Sequence, residues 1–314
     1  MEDEYKFPDF KNVEFWENEV KRYIANNFDS GDIQSGLLVG LIWEYFKYKW
    51  KNQSNYYFEH PLVDEIIKGF SKNVFILKKG MKIFRARNFD DKRLYKETES
   101  YFRVKNIGYS IESMEESGMT EKQIQESIEY IKGISKYSDE TKNKIESGFI
   151  GYAVDGSTAP PIGKTVGGRC NMPGVAYLYT AGDTHTAIAE TRPKYGYDVS
   201  VATLLVNRDL KLVDCYFDCD KMFLKEDFLF SELCLEFSIV NEDGDNGYAF
   251  TRYLTDLIKN AGYDGIRFKT SLSAEGTNFV LFNSNNCKII SSELYKIKNI
   301  QYEYDNVIEK VMEL

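Results

Sequence analysis

Residues Gly167–Pro193 read GGRCNMPGVAYLYTAGDTHTAIAETRP, and the rest of the chain is organised around them. Arg169 comes first, followed by a turn marked by Asn171, Pro173 and Gly174. Proline and glycine are the strongest local punctuators of chain direction. Val175–Tyr179 is a short apolar and aromatic run of the kind that forms a buried strand. Asp183 or Thr184 is placed to cap a following helix, and Pro193 ends it because proline cannot continue one. Tyr179 lies ten residues after Arg169, and Glu190 eleven after Tyr179.

Each of these side chains has a distinct chemical use. Arginine presents a planar fork that matches phosphate oxygens in pairs. Tyrosine offers a flat face and a hydroxyl handle. A carboxylate holds a ribose hydroxyl or stabilises an oxocarbenium-like transition state. Together they suit a dinucleotide whose ribosyl bond is to be broken. The competing reading is a structural arginine, a core tyrosine and a helix-surface glutamate.

The 314 residues are 43% apolar and 15% aromatic, with 23 Tyr and 21 Phe, which is enough for a sizeable core. Acidic residues number 49 against 40 basic, a net charge of −9 that argues against direct nucleic-acid binding. A local arginine cluster can still hold a small anion. His60 and His185 are the only histidines, and Cys170, Cys215, Cys219, Cys234 and Cys287 form no CxxC pair, so no metal site is expected. Scattered cysteines in odd number read as reduced. The acidic start, MEDEYKFPDF, carries no signal-peptide core, and no apolar run approaches membrane-spanning length. The expectation is a cytoplasmic protein that does not enter a membrane.

Residues 11–29, 33–50 and 61–71 repeat apolar positions at helical spacing, which predicts three amphipathic helices. MKIFRAR (81–87) predicts a strand with Arg85 and Arg87 on one face, a costly arrangement unless anions pair with them. Residues 90–150 are polar and helix-prone, with Ile124, Ile128 and Ile131 in one stripe. The paired glycines Gly167 and Gly168 permit a close backbone approach or a tight turn. Strands are predicted at Val199–Val206, Leu210–Cys215, Ile266–Lys269 and Asn278–Phe282. A helix over Tyr248–Ala261 ends at Gly262, and another is expected over 297–313. The stretch 219–246 gives no clear signal.

The Gly167–Pro193 stretch resembles the central motif of the RES domain family, named for an arginine, a glutamate and a serine. The match lies on Gly167, Gly168, Arg169, Asn171, Tyr179 and Glu190, with Cys170 where many members carry tryptophan. It extends with gaps over about 81–290. The family serine maps best to Ser271, with Ser273 as the second candidate. The resemblance implies an α+β fold with an ADP-ribosyltransferase-like core of two small packed β-sheets and flanking helices. The implied organisation is an N-terminal helical subdomain over 1–75, the RES domain over 76–296 with a helical insertion at about 90–150, and a C-terminal helix over 297–314. It implies a toxin or defence effector that consumes NAD+ by cleaving the nicotinamide–ribose bond, as a glycohydrolase or phosphorylase. Arg169, Tyr179, Glu190 and Ser271 are its implied catalytic residues, and Arg85, Arg87, Gly168, Asn171 and Asn278 its implied NAD+-binding residues. The implied protein partner is a helix-turn-helix antitoxin of the Xre class, and the oligomeric state is open. Protein mono-ADP-ribosylation is the alternative activity, and a non-catalytic binding module the lesser one.

Overall fold

The computed structural model describes residues 10–26, 33–53, 58–161, 163–216, 228–239, 246–272 and 275–301. The helix expected over 297–313 lies mostly outside these residues, and 297–301 carry no helix. Ser273 is also outside them. The fold is α+β, and the chain forms two compact units. The first takes the described residues up to Ile83, then Thr158–Thr186 and Leu205–Lys288. The second takes Phe84–Ser157, Ala187–Leu204 and the described residues from Ile289 onward.

In the first unit the three expected helices are α1 (Val13–Asn26), α2 (Ile33–Asn52) and α3 (Pro61–Lys72). Pro61 takes the first turn of α3, where its missing N–H costs nothing, and His60 Nδ1 caps the helix by accepting from Leu62 N–H at 3.3 Å. The unit's sheet runs β1-β5-β6-β7-β3. Its strands are β1 (Val74–Leu77), β3 (Leu178–Ala181), β5 (Leu210–Cys215), β6 (Gly265–Lys269) and β7 (Thr277–Leu281). Only β5 and β6 pair in parallel, because two helices, α10 (Phe228–Ser238) and α11 (Ala249–Asn260), carry the chain between them. The other ladders of this unit, β1–β5, β6–β7 and β3–β7, are antiparallel.

Helix α10 sits in the stretch that gave no sequence signal. Its Leu229, Phe230, Leu233, Cys234 and Phe237 are all buried and cover most of its circumference, leaving only the narrow polar strip of Glu232 and Glu236 and no clear stripe. One core joins it to α1–α3, α11 and the sheet through Trp43, Phe46, Phe70, Leu233, Phe237, Leu254 and Val280. Burying each such side chain stabilises the fold by roughly 1.5–3 kcal/mol.

The second unit holds most of β2 (Lys82–Phe89), β4 (Asp198–Val206) and β8 (Cys287–Lys296), hydrogen-bonded in the order β2-β4-β8. The polar 90–150 stretch becomes α4 (Lys92–Lys105), α5 (Ile107–Glu116), α6 (Glu121–Ile134) and α7 (Asp139–Glu146), and the one-turn α8 (Val154–Ser157) follows. Caps hold them: Asp91 for α4, a Thr120–Gln123 capping box for α6, and Ser138 for α7. Glu97 of α4 accepts from Ser138 Oγ (2.7 Å), Ser138 N–H (3.1 Å) and Thr141 Oγ1 (2.5 Å), tying α4 to the start of α7. Those hydrogen bonds pull its carboxyl down to about 2. Among the described residues no helix is long and apolar enough to cross a membrane.

Candidate functional site

The Gly167–Pro193 stretch folds as a hydrogen-bonded loop, strand β3, and helix α9 (Thr184–Glu190). The strand starts later than the apolar run suggests, at Leu178 and not Val175. Before it, Asn171 organises the loop. Its buried amide donates to the carbonyls of Val175 (2.9 Å), Met172 (3.1 Å) and Val166 (3.3 Å). Its Oδ1 accepts from the Tyr179 hydroxyl at 2.6 Å, and that hydroxyl accepts from Cys170 N–H at 3.1 Å. Burial drives the Tyr179 phenol well above its ordinary range, so it stays protonated and donates. Burial also lifts the Cys170 thiol, to about 12. Gly168 is required by this clasp: a Cβ there would stand 2.7 Å from Asn171 Oδ1 and 2.8 Å from the Tyr179 hydroxyl. Asn171 and Gly168 thus shape the loop itself.

Helix α11 grips the same loop from the other side. Thr251 Oγ1 lies 2.7 Å from the Arg169 carbonyl, and Arg252 Nε donates to the Gly168 carbonyl at 2.8 Å. Thr251, Arg252 and Thr255 are all buried on this helix. The sequence signal for this clamp is subtle: polar residues interleaved with the apolar stripe of an otherwise amphipathic helix.

With its backbone fixed, Arg169 extends a half-buried side chain across the unit. Its guanidinium lies 5.5 Å from the Phe268 ring centroid and 5.7 Å from that of Tyr248. One Nη donates to the carbonyl of Phe237 on α10. No carboxylate pairs with it among the described residues. Arg267, by contrast, is ion-paired with Asp214 at 3.1 Å and sandwiched between Phe75 and Tyr216. Arg169, unlike Arg267, thus has no acidic partner among the described residues.

Register brings Asn278 to the same region. It pairs with Phe268 on β6 and with Ala181 on β3, so it shares a sheet face with the ring beneath Arg169. Tyr179 pairs with Val280 on that face. Ser271 is exposed just past β6. Its bend is fixed by Thr270, whose N–H donates to Gly276 O at 2.9 Å. The first unit thus gathers Gly168, Arg169, Asn171, Tyr179 and Asn278, with Ser271 at the strand end.

Arg85, Arg87 and Glu190 belong to the second unit. Arg85 and Arg87 are half-buried on β2, two residues apart and so on one face. Burial lowers the Arg87 pKa. Glu190 is the exposed last residue of α9. A carboxylate at a helix C-terminus meets the negative end of the dipole, against local preference. The helix starts as expected, with Asp183 Oδ1 accepting from Thr186 N–H at 2.7 Å. It ends before Pro193, where Arg192 takes a left-handed φ of 47°.

An α+β fold with an arginine held by a carbonyl and two rings on a clasped glycine loop defines a class of protein, and comparison with known proteins narrows it. The family model of the RES domain matches residues 150–305. The chain belongs to the RES domain family through that segment. No curated protein matches it. Among solved structures it is similar to a chain in the crystal structure of the M. tuberculosis MbcT–MbcA toxin–antitoxin complex. The identity is 9% and the TM-score 0.34, over 74% of this chain and 94% of that one.

Proposed function

We propose that this protein is an enzyme that consumes NAD+ by cleaving its nicotinamide–ribose bond, as a glycohydrolase or phosphorylase, and that it acts as a toxin or defence effector. The observation that carries this reading is Arg169. It is a guanidinium held by a carbonyl and two aromatic rings, without a carboxylate partner among the described residues, inside the segment matched as a RES domain. In the proposed roles Arg169, helped by Arg85 and Arg87, holds the diphosphate. Glu190 bonds the ribose 2′-hydroxyl and stabilises the developing cation. Tyr179 shapes the nicotinamide pocket through its ring, since its hydroxyl is committed to the loop. Ser271 and Asn278 fix the substrate. Water or phosphate bonds to the anomeric carbon, water giving its proton to solvent, as nicotinamide leaves neutral with the bonding pair and without a general acid.

The proposed fold type is the ADP-ribosyltransferase-like one. The family resemblance supports a helix-turn-helix antitoxin of the Xre class as partner, or a stand-alone role in defence. Purified protein incubated with NAD+ should release nicotinamide together with ADP-ribose or its 1″-phosphate. Label from NAD+ ending on protein would instead establish mono-ADP-ribosylation. Glu190→Gln should slow NAD+ loss about a hundredfold or more with the fold intact, and an unchanged rate in that variant would remove Glu190 from the mechanism.

A further inference from the structure

The helices α5 and α6 leave an apolar seam uncovered. Met114, Met119, Ser127, Tyr130 and Ile131 line a groove between them, with Gln123 and Glu126 on its rim. None of the side chains of α5 is buried, and on α6 only Ile124 is. Tyr130 is 66% exposed and Ile134, one turn on, 46%. Exposed apolar stripes rimmed by charge mark interaction surfaces. Unbranched methionines line sites that adapt to helical partners.

The charge of the two helices decides what kind of partner fits. Over 107–134 there are six glutamates (112, 115, 116, 121, 126 and 129) against Lys122 and Lys132. Lys122 already lies 3.9 Å from Glu126. A second copy of the chain docking isologously would set acid against acid. Anionic lipid and nucleic acid are repelled for the same reason. A helix with lysines or arginines flanking an apolar stripe matches both the apolar seam and the acidic helices that form it. The groove runs beside α6, whose 14 residues span about 21 Å, room for a few helical turns. We propose that the α5–α6 groove is a docking site for an amphipathic, Lys/Arg-rich helix of a partner protein. This stands apart from the NAD+ reading.

The probe is a fluorescein-labelled 14-residue Leu/Lys peptide, apolar at i, i+3, i+4 and i+7, titrated onto the full-length protein and followed by anisotropy. A Leu/Glu peptide of the same pattern and a scrambled Leu/Lys peptide serve as controls. The patterned Leu/Lys peptide should bind at least tenfold tighter than either. Met119→Ser with Tyr130→Ser should cost at least tenfold. Glu115→Gln with Glu126→Gln should weaken binding and flatten its salt dependence. Thermal unfolding of each variant matching the parent keeps these losses assignable to the surface. Equal binding of the scrambled peptide, or binding untouched by the Met119 and Tyr130 changes, overturns the proposal. So does concentration-dependent dimerisation, seen by sedimentation, that disappears with Tyr130→Ser.

Discussion

The Gly168–Asn171–Tyr179 clasp concentrates several demands on single atoms. The Tyr179 hydroxyl both donates to Asn171 and accepts from the Cys170 N–H. Tyr179→Phe keeps the ring but leaves a buried amide unpaired, which costs about 1–3 kcal/mol. Gly168→Ala forces its methyl into two oxygens and should cost a similar amount by overpacking. Denaturant unfolding checks both, and a Gly168→Ala protein as stable as the parent would show that the loop yields easily. The sequence reading assigned Tyr179, Asn171 and Gly168 to ligand contact. The structure shows what they do for the loop, and this was hidden because each partner becomes visible only once the turn closes.

At the scale of elements, α10 and α11 serve the arginine they flank. One supplies the Phe237 carbonyl, the other the Thr251–Arg252 clamp. Thr251→Val removes one side of that clamp while preserving shape. If Arg169 grips the dinucleotide, this variant should raise the KM for NAD+ by about tenfold, the effect of losing roughly 1.4 kcal/mol of binding, with kcat little changed. Steady-state kinetics would show it, and a fall in kcat at unchanged KM would contradict a positioning role. Amphipathic α1–α3 and α11 were legible because one face meets solvent and leaves a stripe. Helix α10 was not legible, since burial over most of its circumference blurs the period. The short β1 and the edge strand β8, with its mixed burial pattern, gave no sequence signal either.

For the molecule as a whole, acidification should act through His60. Its ring is buried against Phe58 and Phe46, and burial depresses its pKa to about 4 from an ordinary 6.5. The Glu17 charge pushes the other way, and Lys49 adds to the depression. The unfolded chain therefore binds the proton first, and stability falls as pH drops from about 6.5 to about 4, then levels. His60→Asn keeps a side-chain acceptor for the α3 cap but cannot titrate. The stability of the parent relative to this variant, from urea unfolding, should be constant above pH 7 and decline through that window. A difference that stays flat would mean that His60 does not titrate in the buried setting. The family, the α+β class, most helices and the residues of the motif were determined by sequence alone, because spacing and residue type are local properties. Which carbonyl holds Arg169, which rings cover it and which helix clamps its loop were decided only by tertiary structure. Those contacts join residues as far apart in the chain as Arg169 and Phe268, and no local pattern records them.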